Sequence, residues 1–217
     1  MSWFSKACSS SVGKKYLMAA SGMLLGGFLL VHAAGNTSIF WGRHAFNSYA
    51  EHLHSLGFLI NIAELVLLAI FLIHVVTGLS LFFQNRAARG NERYAVQTSA
   101  GGRTWGSKTM PYTGLVILAF ILLHLLNFHF VSHDRPISDI VRPVLHNPVY
   151  TLLYGVAMLA LGLHISHGFW SIFQSLGLNH PKYNRLFRLL GWAGCILIAG
   201  VFLAIVLLLL FSATRLA

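Results

Sequence analysis

The sequence predicts an all-α membrane protein built on five transmembrane helices. Two observations carry that prediction. Of its 217 residues, 56% are hydrophobic and only 9% are charged, whereas a soluble domain carries about 25% charged residues. The apolar residues also gather into five runs, each long enough to cross a bilayer core, which takes about 20 helical residues. The runs fall at 16–35, 58–84, 112–131, 149–176 and 189–211, with short connections. Residues 1–217 are therefore expected to form a single transmembrane domain, with no soluble catalytic domain and no nucleic-acid partner.

The first span follows Lys14 and Lys15 and ends near Ala33-Ala34, an arrangement that superficially resembles a signal peptide. It is too long for that and contains His32, so it is read as retained. The second span holds Glu64 and His74, the third His124, the fourth His164 and His167. The fifth contains no histidine and is read as packing. Cys8 and Cys195 are too few for a metal cluster, and the absence of Cys-x-x-Cys-His excludes covalent haem attachment. Both thiols are expected to be free.

Charge orients the spans. Lys6, Lys14 and Lys15 precede the first; Arg86, Arg89, Arg93, Arg103 and Lys108 lie between the second and third; Lys182, Arg185 and Arg188 lie between the fourth and fifth. The opposite side holds only Arg43, Arg135, Arg142 and Arg215. The positive-inside rule then places the N-terminus in the cytoplasm and the C-terminus outside. Most of the net charge of +10 becomes a cytoplasmic basic surface, where Glu92 is the single acid. Anionic lipid accounts for such a surface; a docked cytoplasmic partner is the sharper reading.

The most informative residues are His32, His74, His124 and His164, one in each of four spans. An ionisable residue at membrane depth is costly and marks function by default. His32 lies 17 residues past Lys15 and His124 16 past Lys108, so both sit roughly 25 Å above the inner boundary at 1.5 Å per residue. His74 precedes Arg86 by 12 residues and His164 precedes Leu176 by 12, about 18 Å from the same boundary. The heights pair His32 with His124 on the outer side and His74 with His164 on the inner side. Local sequence pairs them alike: Phe28-x-x-x-His32 resembles Phe120-x-x-x-His124, and His74-x-x-x-Gly78 resembles His164-x-x-x-Gly168. Two bis-histidine sites in an apolar bundle suit two b-type haems, their irons held by the four histidines, with a Gly one turn away letting a macrocycle approach. A lone membrane histidine is more often an interhelical hydrogen-bond partner; four at matched heights favour ligation.

Other polar residues carry weaker signals. Glu64 is the only acid inside a span and is expected near the outer boundary, as an interfacial carboxyl or as a group exchanging protons with a quinone. His129 and His167 are alternative ligands that are not expected to serve. His44, His52 and His54 crowd the first outer connection, where loop solvation explains them. Trp170 and Gln174 form an aromatic belt or line an inner quinone pocket, the belt being favoured.

Gly27-Phe-Leu-Leu-Val-His32-Ala-Ala-Gly-Asn36, Phe46-Asn47-Ser-Tyr-Ala, His74-x-x-x-Gly78 and His164-x-x-x-Gly168-x-Trp170-Ser171 occur in that order along nearly the whole chain. Together they resemble the single-chain, two-haem cytochrome b anchor of succinate:menaquinone oxidoreductases (succinate dehydrogenases) and quinol:fumarate reductases. The resemblance implies five helices, axial ligands at His32/His124 and His74/His164, and electron transfer between menaquinone and an iron–sulfur subunit. A flavoprotein that interconverts succinate and fumarate would complete the complex on the cytoplasmic face, with no dicarboxylate site in this chain. It further implies a multi-pass protein of the bacterial inner membrane and is compatible with a dimer of heterotrimers. One position departs: some quinol:fumarate reductases carry Glu two residues before the ligand matched by His164, and here that residue is Gly162, which puts a proton path there in doubt. Two rival readings stand beside this one: the cytochrome b of a hydrogenase or formate dehydrogenase, and a haem-free metal transporter using histidines as transient ligands. A transporter would be expected to line its path with acids, Cys or Met, and only Glu64 qualifies.

Overall fold

The computed structural model describes residues 2, 3, 6, 9–90, 105–178 and 180–212. Cys8, Glu92, Arg93, Arg103 and Arg215 lie outside them, as does the side chain of Arg89. The regular elements among the described residues are all helices, with no strand. In order they form α1 (Ser11–Asn36), a 3₁₀ turn (Thr37–Trp41), α2 (Arg43–Ser55), α3 (Phe58–Arg89), α4 (Trp105–Phe128), α5 (Ile137–His146), α6 (Pro148–Ser175) and α7 (Asn184–Phe211). Five helices are long and apolar enough to span a membrane: α1 with its 3₁₀ extension, α3, α4, α6 and α7.

The helix ends follow local chemistry. Ser10 caps α1 by accepting from Gly13 N–H, and Asn147 caps α6 by accepting from Val149 N–H, with Pro148 at the first helical position where no N–H is needed. Gly42 (φ 98°) and Gly57 (φ 51°) provide the left-handed turns on either side of α2. The described part of the third span is already helical from Trp105, ahead of the expected 112. Pro111 lies inside α4, although a proline there removes one backbone hydrogen bond and disfavours helix just before it.

The connections at the end where α1 finishes are not simple loops. α2 and α5 are amphipathic helices, which explains how His44, His52 and His54 come to lie on a helix. Phe46 of α2 and Ile140 and Leu145 of α5 are buried. Arg43 Nη2 donates to Asp139 Oδ2 at 2.8 Å, and Asn47 Oδ1 accepts from Ser138 N–H at 3.1 Å. These contacts bind α2 to α5 over the ends of α6 and α7, where Phe46, Ile39, Leu145, Tyr154, Ile205, Val206 and Leu209 form the principal core.

Among the spans, α6 is central. It packs along α4 on one side and α7 on the other and also touches α1, which in turn packs along α3. Close α4–α6 contact is permitted by Gly106: a β-carbon there would come within 2.7 Å of His167 Cβ. Helices α3 and α4 bury few of their own residues.

Candidate functional site

The four intramembrane histidines meet two by two. The rings of His32 on α1 and His124 on α4 lie 6.0 Å apart between centroids, nearly perpendicular. Those of His74 on α3 and His164 on α6 lie 6.3 Å apart, inclined at 65°. Two imidazoles on opposite sides of one metal, each bonded at about 2 Å with the centroid roughly 1 Å behind its nitrogen, stand about 6 Å apart. Both pairs have that spacing. Among the described residues no group of three or more His, Cys, Asp or Glu converges as a metal cage; the four histidines meet as two pairs.

The His74/His164 pair is held by hydroxyls from neighbouring spans. Ser21 Oγ donates to the Leu17 carbonyl at 2.7 Å. Its proton thus spent, it accepts from His74 Nδ1, 3.1 Å away. Thr113 Oγ1 donates to the Thr109 and Met110 carbonyls, each at 3.1 Å, and accepts from His164 Nδ1 at 3.2 Å. This network assigns the proton to Nδ1 in both rings and leaves each Nε2 lone pair for a metal. Both hydroxyl residues are buried. The adjoining glycines seat the rings: a β-carbon at Gly22 would lie 3.3 Å from His74 Cε1, and one at Gly114 3.5 Å from His164 Cε1.

The His32/His124 pair is held by aromatic rings. Phe28 stacks on His32 at 5.2 Å and Phe202 approaches it at 5.6 Å. Phe128, Phe120 and Tyr154 surround His124 at 5.2, 5.7 and 6.2 Å. Tyr154 is itself fixed by Asn127 Nδ2, which donates to its hydroxyl at 3.2 Å. His124 Nδ1 is buried with no hydrogen-bond partner. His32 Nδ1 lies 3.5 Å from Asn36 Nδ2, at the limit of a bond, while that amide donates to the His32 carbonyl at 2.8 Å.

Ser21, Thr113, Gly22 and Gly114 were not singled out from the sequence, yet the signal is there. Ser21-Gly22-x5-Phe28-x3-His32 and Thr113-Gly114-x5-Phe120-x3-His124 are the same pattern. Each copy contributes a histidine to one pair and a hydroxyl to the other.

The remaining candidates are placed as follows. Glu64 Oε1 lies 3.9 Å from His129 Nδ1, and both side chains are about half exposed at the bundle surface, so Glu64 is less enclosed than a buried proton donor. Gly78 backs onto Met18, 3.0 Å from where its β-carbon would be, whereas Gly168 faces open space. Trp170 sits under the Arg188 guanidinium at 5.4 Å, and Gln174 lies in the last turn of α6. Cys195 is a free thiol that donates to the Gly162 carbonyl at 3.0 Å. A β-carbon at Gly162 would come 3.3 Å from Ala199 Cβ and 3.5 Å from Cys195 Sγ. A side chain at that position would need Ala199 on α7 to give by a few tenths of an ångström.

Comparison with known proteins agrees with the motif resemblance. Over 165 residues the chain is 25% identical to the succinate dehydrogenase cytochrome b558 subunit of Bacillus subtilis (strain 168), covering 75% of this chain and 78% of that one. This chain is similar to a succinate dehydrogenase cytochrome b subunit. No protein-family model and no solved structure matches it. Five apolar helices and this bacterial relative make it a multi-pass protein of the bacterial inner membrane.

Proposed function

We propose that the chain is the membrane-anchoring cytochrome b subunit of a succinate dehydrogenase, carrying two b haems and moving electrons between menaquinone and an iron–sulfur partner. The observation that carries this reading is the meeting of four histidines from four spans as two pairs, each spaced for one metal between two imidazoles. Similarity to the cytochrome b558 subunit supports it. Bound haem would supply a one-electron carrier at each pair.

The chain's own residues have distinct tasks in this scheme. His74 and His164 present Nε2 because Ser21 and Thr113 hold Nδ1. The aromatic rings around His32 and His124 exclude water and keep the second pair in an apolar setting. We place the N-terminus in the cytoplasm, making His74/His164 the inner pair and His32/His124 the outer. Arg86, Arg185 and Arg188 then face the flavoprotein and iron–sulfur subunits. Glu64, beside His129, is proposed to exchange protons with quinone on the outer side. The paired arrangement of the donors favours this reading over a transport path.

The direct test is haem content. A pyridine-haemochrome assay and a reduced-minus-oxidised spectrum of the purified complex should give two b haems per chain. One haem, or none, contradicts the reading.

A further inference from the structure

We propose that Ser21 and Thr113 are positioning residues that set the electronic character of the His74/His164 site and leave the His32/His124 site untouched. The inference rests on the two-haem reading above and goes beyond it.

Three observations carry it. Each hydroxyl spends its proton on a backbone carbonyl of its own helix, so toward the imidazole it acts only as an acceptor. Each reaches the histidine of the following span, so the contact joins α1 to α3 and α4 to α6. The second pair has no counterpart: His124 Nδ1 is unpartnered and His32 Nδ1 faces an amide nitrogen at 3.5 Å. The internal repeat thus builds two histidine pairs with unequal outer support.

The chemical consequence is directional. An Nδ1–H that donates to oxygen pushes electron density toward Nε2 and makes it a stronger donor to the iron. A stronger donor favours ferric over ferrous iron. The two hydroxyls therefore lower the potential of the inner haem relative to the same site without them, and they lock both rings in the ligating tautomer.

The test uses the intact membrane complex with Ser21→Ala, Thr113→Val, their combination, and the conservative pair Ser21→Thr and Thr113→Ser. The readouts are a redox titration resolving both haems and the low-spin ferric resonance of each. Removing the hydroxyls should shift the inner haem toward the ferrous state by up to about tenfold, which is ~59 mV upward for a one-electron couple. The outer haem should titrate unchanged, and the conservative variants should restore the inner value. Selective loss of the inner haem in the combined variant also supports the proposal, because support of this kind is worth roughly 10–100-fold in metal affinity. Unchanged potentials and resonances would overturn it. Equal loss of both haems in every hydroxyl-free variant would overturn it too, since that marks a general folding role. If the unmodified complex lacks two haems, it is the functional reading that fails.

Discussion

The two histidine pairs have nearly the same spacing but are held by different physics. The His74/His164 pair is anchored by directed hydrogen bonds from buried hydroxyls. The His32/His124 pair is wedged by phenylalanines and Tyr154, next to the larger hydrophobic cluster among the described residues. Hydrogen bonds fix a tautomer and a ring direction; packing fixes position and excludes water without specifying which nitrogen carries the proton. The difference follows from where the pairs lie. His32 and His124 are each four residues from the end of their helices, under the α2–α5 cover. His74 and His164 lie deeper in spans α3 and α6, where α3 buries few residues of its own and side-chain packing alone would leave a ring free to turn.

The largest effect expected from this comparison concerns the ring seats. Gly22→Leu adds a side chain where a β-carbon alone would lie 3.3 Å from His74 Cε1. On the proposed two-haem reading it should displace that ring and abolish haem at His74/His164, leaving one haem per chain by the pyridine-haemochrome assay. Gly168→Ala, which meets nothing within 4 Å, should keep both. Retention of two haems in Gly22→Leu would break the distinction between anchored and wedged sites.

The proposed quinone role of Glu64 is sharpened by Glu64→Gln, which keeps shape and would remove any proton exchange. Quinone turnover should drop severalfold, while both haems stay bound and succinate oxidation with an artificial dye continues. Unchanged quinone turnover would make Glu64 a surface carboxyl and direct attention to the opposite end, near Trp170 and Gln174.

A smaller effect is expected at the basic end. Neutralising Arg86, Arg89, Arg93 and Arg185 together should weaken retention of the soluble subunits, and retention by the unmodified chain should fall as salt rises, because exposed charges are screened over about 10 Å at 0.1 M. Full retention at high salt would remove electrostatic docking.

The five spans were legible because a membrane helix needs a long apolar run, and composition alone exposes it. Glu64 and His129 each stand out in the sequence, but their approach to 3.9 Å does not, since it depends on tertiary placement. The helices α2 and α5 are not legible because these segments read as short connections between spans. Their amphipathic faces bury only a few residues, such as Phe46 and Ile140, against spans that sequence alone does not place. Pro111 favours a boundary near residue 112, yet it lies inside α4, because local preference does not decide a helix on its own. At the site, the histidines stood out because titratable groups are rare in apolar runs. Ser21 and Thr113 did not, because a hydroxyl in a membrane helix satisfies itself on its own backbone and leaves no mark until the partner ring is seen.

The central claim is that two sites are each shared by two spans, and double variants test it most directly. Haem content should be measured for His32→Ala with His124→Ala, His74→Ala with His164→Ala, and the crossed double His32→Ala with His74→Ala. Each same-pair double should lose one haem, no more than its single variants lose, and the crossed double should lose both. A crossed double that keeps one haem, or a same-pair double that loses two, would contradict the pairing.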